Sequence, residues 1–141
     1  DGTIAAACGF AQGLKAPVTL MIGDLAALHD LNSLAMLKDS PYPVTIVILN
    51  NGGGGIFSFL PIAQFEDVFE PFFATPHGVD FIGAARMFAL EYAKASTPKD
   101  FLTAYTRAVR GNRSMIIEVT TSRKDNVALH QTIQNQVIRA L

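Results

Sequence analysis

The sequence has no tryptophan and a single cysteine, Cys8. One cysteine cannot build a disulfide framework, so the fold must rest on an apolar core, and the chain suits a reducing compartment. Charge is also scarce, at 16% of residues, and nearly balanced, with a net charge of −1. No basic cluster exceeds Arg123-Lys124, which argues against a nucleic-acid or membrane-surface protein. Apolar runs of membrane-spanning length are missing, because Asp24, Asp30, Lys38 and Asp39 interrupt the most apolar region. Internal repeats, low-complexity stretches and internal linkers are absent too.

Half of the 141 residues are hydrophobic, enough to bury a substantial core in one domain spanning residues 1–141. That share is rich for a free-standing monomer, and some apolar surface is expected to meet another domain or subunit. The chain begins at Asp1 without methionine or a targeting segment, and its first residues already read as a buried helix. It is therefore expected to be a C-terminal piece of a longer protein.

Short β-branched runs alternate with helical patterns. Residues 18–22 and 44–49 are unbroken apolar strands of the kind covered on both faces, and 91–95 and 114–120 supply two more. Helices are expected at 2–14, with Ile4, Phe10 and Leu14 as its large residues and Gly9 and Gly13 permitting close backbone approach, and at 30–38 and 81–90, with Asp80 as the cap of the latter. Another starts at Thr97-Pro98, and the last runs from Asn126 to Leu141. The alternation predicts an α/β fold, a three-layer, doubly wound parallel sheet with helices on both faces. Cys8 reads as a small core residue, since no basic partner lies nearby.

Two of these strands run into loops suited to ligands. Gly23-Asp24-Leu25 follows the first, and Asn50-Asn51-Gly52-Gly53-Gly54-Gly55 follows the second. Parallel strands share one carboxyl rim, so Asp24 and Asn51 can meet there. A carboxylate, a carboxamide and main-chain carbonyls are hard oxygen donors for Mg²⁺, and glycines let the backbone approach a phosphate. Either half alone has a plainer reading, Asp24 as a helix cap and the glycines as a flexible loop. His29 can face such a site or simply cap and pack the following helix. The aromatic-rich stretch 56–73 reads as a hydrophobic loop or short helix, or as an active-site wall that also packs on a partner.

Gly-Asp, then Leu25 and the 24 residues at 26–49, then Asn-Asn, resembles the cofactor signature of the thiamine diphosphate enzymes. Leu25 stands where that signature usually has glycine. Together with Ile56-Phe57-Ser58-Phe59-Leu60-Pro61, Thr75-Pro76-His77-Gly78 and Asp125-Asn126-Val127-Ala128-Leu129-His130, it resembles one branch, the menaquinone-pathway synthases of the MenD type. The resemblance implies thiamine diphosphate and Mg²⁺ or Mn²⁺ as cofactors. Asp24, Asn51 and the Gly53 carbonyl would hold the metal, and Gly23, Leu25 and Ala26 would meet the diphosphate through their main chain. Ile56, Phe57 and Leu60 would line the substrate pocket. No catalytic residue is expected here, because the activating glutamate of the family lies on a separate N-terminal pyrimidine-binding domain of a second subunit, in a homodimer or homotetramer. The implied reaction decarboxylates 2-oxoglutarate and joins the succinyl semialdehyde unit to isochorismate, in the bacterial cytoplasm or a plastid. The rival readings are another enzyme of the family, of 2-oxoacid decarboxylase or acetolactate synthase type, and a non-catalytic diphosphate-binding module.

Overall fold

Every residue from Val44 to Ile48 is apolar or β-branched, and in the computed structural model all five are buried at the centre of a sheet. The structure describes residues 2–140, which fall into two compact units. One comprises the residues up to Asn50 together with Val79–Thr120, and the other comprises Asn51–Gly78 with the residues from Thr121 onward.

The first unit begins with helix α1 (Thr3–Leu14), strand β1 (Val18–Gly23), the short helix α2 (Asp24–His29) and a 3₁₀ segment, Leu31–Leu37, before strand β2 (Val44–Asn50). In the second unit two 3₁₀ turns, Gly55–Phe59 and Pro61–Gln64, lead to helix α3 (Glu66–Phe69) and a π-helical turn, Glu70–Ala74. The chain returns to the first unit for helix α4 (Ile82–Met87), strand β3 (Glu91–Ala95), helix α5 (Pro98–Arg110) and strand β4 (Met115–Thr120). It ends in the second unit with helix α6 (Arg123–Ala140); Leu141, expected to complete that helix, lies outside the described residues.

All three strand pairings are parallel, in the order β1-β2-β4-β3. On one face Ile46, Ile48 and Ile116 meet Ile4, Leu34, Leu37, Phe81 and Ala85 from α1, the 3₁₀ segment and α4. On the other, Met115 and Ile117 meet Ala104 and Ala108 of α5. Each fully buried Ile or Leu contributes about 1.5–3 kcal/mol. The three-layer parallel α/β architecture expected from the alternation is thus present.

Several expectations change in detail. β1 is an edge strand, not a central one: its residues alternate between partly covered and exposed, and Met21 is 69% exposed. Its apolar run gave no sign of the edge, because strand order is set by pairing between distant segments. In α1 the buried stripe is Ile4, Ala7, Cys8 and Ala11, whereas Phe10 and Leu14 lie on the exposed face. That stripe follows the helical period, and the small residues let the helix lie close to the sheet. Among the described residues nothing approaches the place of a side chain at Gly9 or Gly13, so neither serves a close contact there. Phe81, not Asp80, occupies the cap position of α4, without a side-chain cap. Thr97 does cap α5, in a reciprocal box in which Thr97 Oγ1 accepts from the Asp100 N–H and Asp100 accepts from the Thr97 N–H.

The helix expected over 30–38 is instead the six-residue α2 followed by the 3₁₀ segment. The break falls at Asp30, whose buried carboxylate accepts the Ile4 N–H of α1 at 2.6 Å and the Ser33 hydroxyl. It satisfies donors of two segments at once. Burial alone would raise its pKa. The hydrogen bonds from Ser33, Ile4, Ala5 and Gly2 outweigh this and hold it below the ordinary carboxylate value. A depressed folded-state value means stability that is present above the unfolded value of about 4 and lost as pH falls through the folded one. Asp30→Asn is expected to cost about 1–2 kcal/mol at pH 7. Urea denaturation should show that difference shrinking as the pH drops below about 4; a pH-independent difference would count against the charged cap.

Candidate metal and diphosphate site

Parallel pairing sets Gly23 beside Leu49 and Leu49 beside Val119, so β1, β2 and β4 end on one rim. Asp24 and Asn50 each follow directly at that rim. Asp24 is only 3% exposed, although it stands at the first position of a short helix, and its Oδ1 accepts the N–H of Leu25 at 2.7 Å. Gly23, not Asp24, holds the cap position of that helix, so the plainer reading of Asp24 as its cap does not hold, and Asp24 stands in the first turn instead. Leu25 and Ala26 are half-buried on α2, and His29 is exposed at its end.

The second unit opens with Asn51, whose Oδ1 accepts the Gly53 N–H at 3.2 Å. A carboxamide oxygen has two lone pairs, so this bond leaves capacity for a second partner. The glycines here form a packed turn rather than a flexible loop. Gly53 has φ +144°, and a Cβ there would lie 2.1 Å from the Ala74 carbonyl oxygen. At Gly54 a Cβ would lie 2.5 Å from the Phe73 carbonyl oxygen, and the Gly54 N–H donates to the Ala74 carbonyl at 2.7 Å. Gly55 has no room beside the Asn51 amide. Gly53 and Gly54 are thus required by contact with the turn at Glu70–Ala74, a partnership that composition alone could not reveal.

The aromatic stretch 56–73 is helical turns rather than strand, and its prolines stand at the starts of two of them. Phe69 is buried and stacks on Phe73 at 6.4 Å, while Phe57 meets Phe73 edge-on at 6.1 Å. Of the three residues expected to line a substrate pocket, Leu60 borders a cavity of about 450 Å³ with Phe59, Pro61, Val127 and Gln131. Ile56 and Phe57 are exposed, Ile56 at 76%. A second cavity, of about 490 Å³, lies between α3 and the start of α6. Its polar lining includes Glu70 and Arg123, paired at 3.0 Å. Nothing in the sequence could match these two, which lie 53 positions apart. No residue of α6 is buried: of the apolar residues on one side of it, Val127 is half-buried and Leu129, Ile133, Val137 and Ile138 are exposed.

The donor types fit a hard divalent cation: one carboxylate, one carboxamide oxygen and one main-chain carbonyl. Among the described residues no three His, Cys, Asp or Glu gather into a metal site, and the expected set is of a different kind. One residue went unnoticed in the sequence. Glu118, in β4, is 1% exposed and accepts from Asn50 Nδ2 at 2.8 Å, the Phe81 N–H at 2.9 Å and the Tyr92 hydroxyl at 2.8 Å. Burial first, and then Glu118 itself, pushes the Tyr92 phenol well above its ordinary range, so Tyr92 remains a donor. The one available signal was a lone charge within the apolar run Met115-Ile116-Ile117-Glu118-Val119.

The family description "Thiamine pyrophosphate enzyme, C-terminal TPP binding domain" matches residues 2–119. The chain is 53% identical over 94% of its length to 2-succinyl-5-enolpyruvyl-6-hydroxy-3-cyclohexene-1-carboxylate synthase of Rubrobacter xylanophilus, covering 23% of that protein. It is 49% identical over its whole length to the protein of the same name from Salinibacter ruber, again 23% of the relative. The chain thus spans about a quarter of the curated relatives it matches. Among solved structures it superposes on a thiamine diphosphate-dependent 4-hydroxybenzoylformate decarboxylase of Rhodococcus jostii with a TM-score of 0.70, at 28% identity and covering 85% of this chain and 23% of that one. A benzoylformate decarboxylase from Polynucleobacter necessarius shares the fold, with a TM-score of 0.69 at 22% identity, over the same shares of the two chains.

The packing of Gly53 yields a direct test. Gly53→Ala is expected to cost about 2–4 kcal/mol, because both its φ and the Ala74 carbonyl oppose a Cβ. Gly83→Ala, in α4 with open space around it, should stay within about 1 kcal/mol of wild type. Chemical denaturation of both variants decides whether the glycine turn is packed or merely flexible.

Proposed function

Because the chain belongs to the thiamine pyrophosphate enzyme family through its C-terminal TPP-binding domain, we propose that it is the diphosphate- and metal-binding domain of a synthase that decarboxylates 2-oxoglutarate and joins the succinyl semialdehyde unit to isochorismate. Such a reaction feeds menaquinone or phylloquinone synthesis. The observation that carries this reading is the likeness to synthases of that name over nearly the whole chain, far closer than the likeness to the decarboxylases.

In this reading Asp24, the Asn51 side-chain oxygen and the Gly53 carbonyl bind Mg²⁺ or Mn²⁺, with Asp24 as the one charged protein ligand. Gly23, Leu25 and Ala26 offer main-chain groups to the diphosphate. When bound, thiamine diphosphate supplies a thiazolium carbon that becomes a nucleophile on losing its proton. The residues of this chain anchor and orient the cofactor, and Ile56, Phe57 and Leu60 shield the reacting end from water. The group that sets up deprotonation, a glutamate, is assigned to an N-terminal domain of a second subunit in a homodimer or homotetramer. The exposed Ile56, Phe57, Phe59 and Leu60 support a partner on that side of the second unit.

Asp24→Asn keeps the size of the side chain but removes its charge. In the full-length protein it should raise the Kd for thiamine diphosphate, titrated calorimetrically with Mg²⁺, by about 100-fold or more, with the fold unchanged by circular dichroism. Unaltered affinity would remove Asp24 from the metal. Substrate identity needs its own assay: full-length protein should form product from 2-oxoglutarate with isochorismate, while residues 1–141 alone should form none above a buffer control. Decarboxylation of other 2-oxoacids without isochorismate would favour a decarboxylase. Product from the isolated piece would show that the activating group lies within it.

A further inference from the structure

Glu118 lies in β4 between Ile48 of β2 and Lys94 of β3, facing no positive partner among the hydrogen bonds it makes. A buried carboxylate is costly unless donors surround it. Its donors are not scattered. Asn50 is the last residue of β2, the point from which Asn51–Gly78 departs. The same Asn50 amide donates to the carbonyl of Val79, where the chain comes back, at 3.0 Å. Phe81, two residues further on, donates its N–H to the other carboxylate oxygen. One side chain therefore fastens both ends of the segment that carries Asn51, Gly53, Ile56, Phe57 and Leu60.

We infer that Glu118 is a positioning residue, which through Asn50 and Phe81 fixes the departure and return of Asn51–Gly78 and so sets how tightly the cofactor and its metal are held. The inference rests on the function proposed above for Asn51 and Gly53. Closing the two ends of a long segment in advance removes conformational freedom that binding would otherwise have to remove. Tyr92 provides the comparison: it donates to the same carboxylate from β3, whereas Asn50 and Phe81 donate to it from beside the two ends of the segment.

The test uses full-length protein and three variants, Glu118→Gln, Asn50→Ala and Tyr92→Phe, with two readouts. The first is the Kd for thiamine diphosphate with Mg²⁺. The second, which needs no cofactor, is the rate of limited proteolysis within residues 51–78 of the cofactor-free protein, referred to thermal unfolding of the same sample. Glu118→Gln and Asn50→Ala should each weaken binding by about 10–100-fold, speed cleavage within the segment, and combine in the double variant with less than additive effect. Tyr92→Phe should lower thermal stability while leaving affinity and cleavage within about twofold of wild type. Should Glu118→Gln fail to fold, Asn50→Ala against Tyr92→Phe still decides. Wild-type affinity in Asn50→Ala, or equal weakening in Tyr92→Phe, overturns the positioning role and leaves Glu118 a general brace. If wild-type protein binds no thiamine diphosphate, the proposed function fails, and the cleavage rates alone decide: faster in Asn50→Ala than in Tyr92→Phe supports the inference, and equal rates overturn it.

Discussion

Parallel pairing of β2 and β4 is the constraint on which the rest of the first unit depends. A parallel pair cannot be joined by a tight turn, so each return of the chain must cross a face of the sheet. α2, the 3₁₀ segment and α4 cover one face on that account, together with α1, which precedes the first strand, and α5 covers the other. The same rule sends every strand to the same edge. Gly23, Leu49, Ala95 and Val119 lie side by side there, which is why loops of unrelated sequence leave from a common rim.

Burying both faces of the central strands leaves little tolerance for polar groups, and those present are fully used. No buried side-chain nitrogen or oxygen among the described residues lacks a hydrogen-bond partner. Asp30 and Glu118 are the informative cases. Each is a buried carboxylate surrounded by N–H and O–H donors rather than by a cation. Such a site costs desolvation but fixes orientation, because displacing the carboxylate would strand several donors at once. Asp30 uses this to fasten the start of α1, and Glu118 to fasten the ends of a long excursion.

Leu25 and the aromatic stretch frame the difference between family and branch. The fold is common to this chain and to decarboxylases of low identity. Function on a shared fold belongs to the side chains hung on it, and Ile56 and Leu60 are among the exposed apolar side chains of the second unit.

Local sequence determined the elements. The β-branched runs, the Thr97-Pro98 helix start and the strand-breaking prolines of 56–73 each state their conformation within a few residues, so the α/β class and the parallel sheet were legible. The donor types carried by the Gly23-Asp24 and Asn50-Asn51 loops could be read for the same reason, since donor type is a property of the residue. What tertiary structure alone decided is everything that needs a partner distant in the chain: that β1 lies at the edge, that Phe10 faces outward, that Asp30 breaks a helix to cap another, that Gly53 is pressed against Ala74, and that Glu118 gathers Asn50, Phe81 and Tyr92. Periodicity reports which face of an element is apolar, but it carries no information on which distant segment will cover that face, and a buried charge reveals its purpose only once its donors have been brought to it.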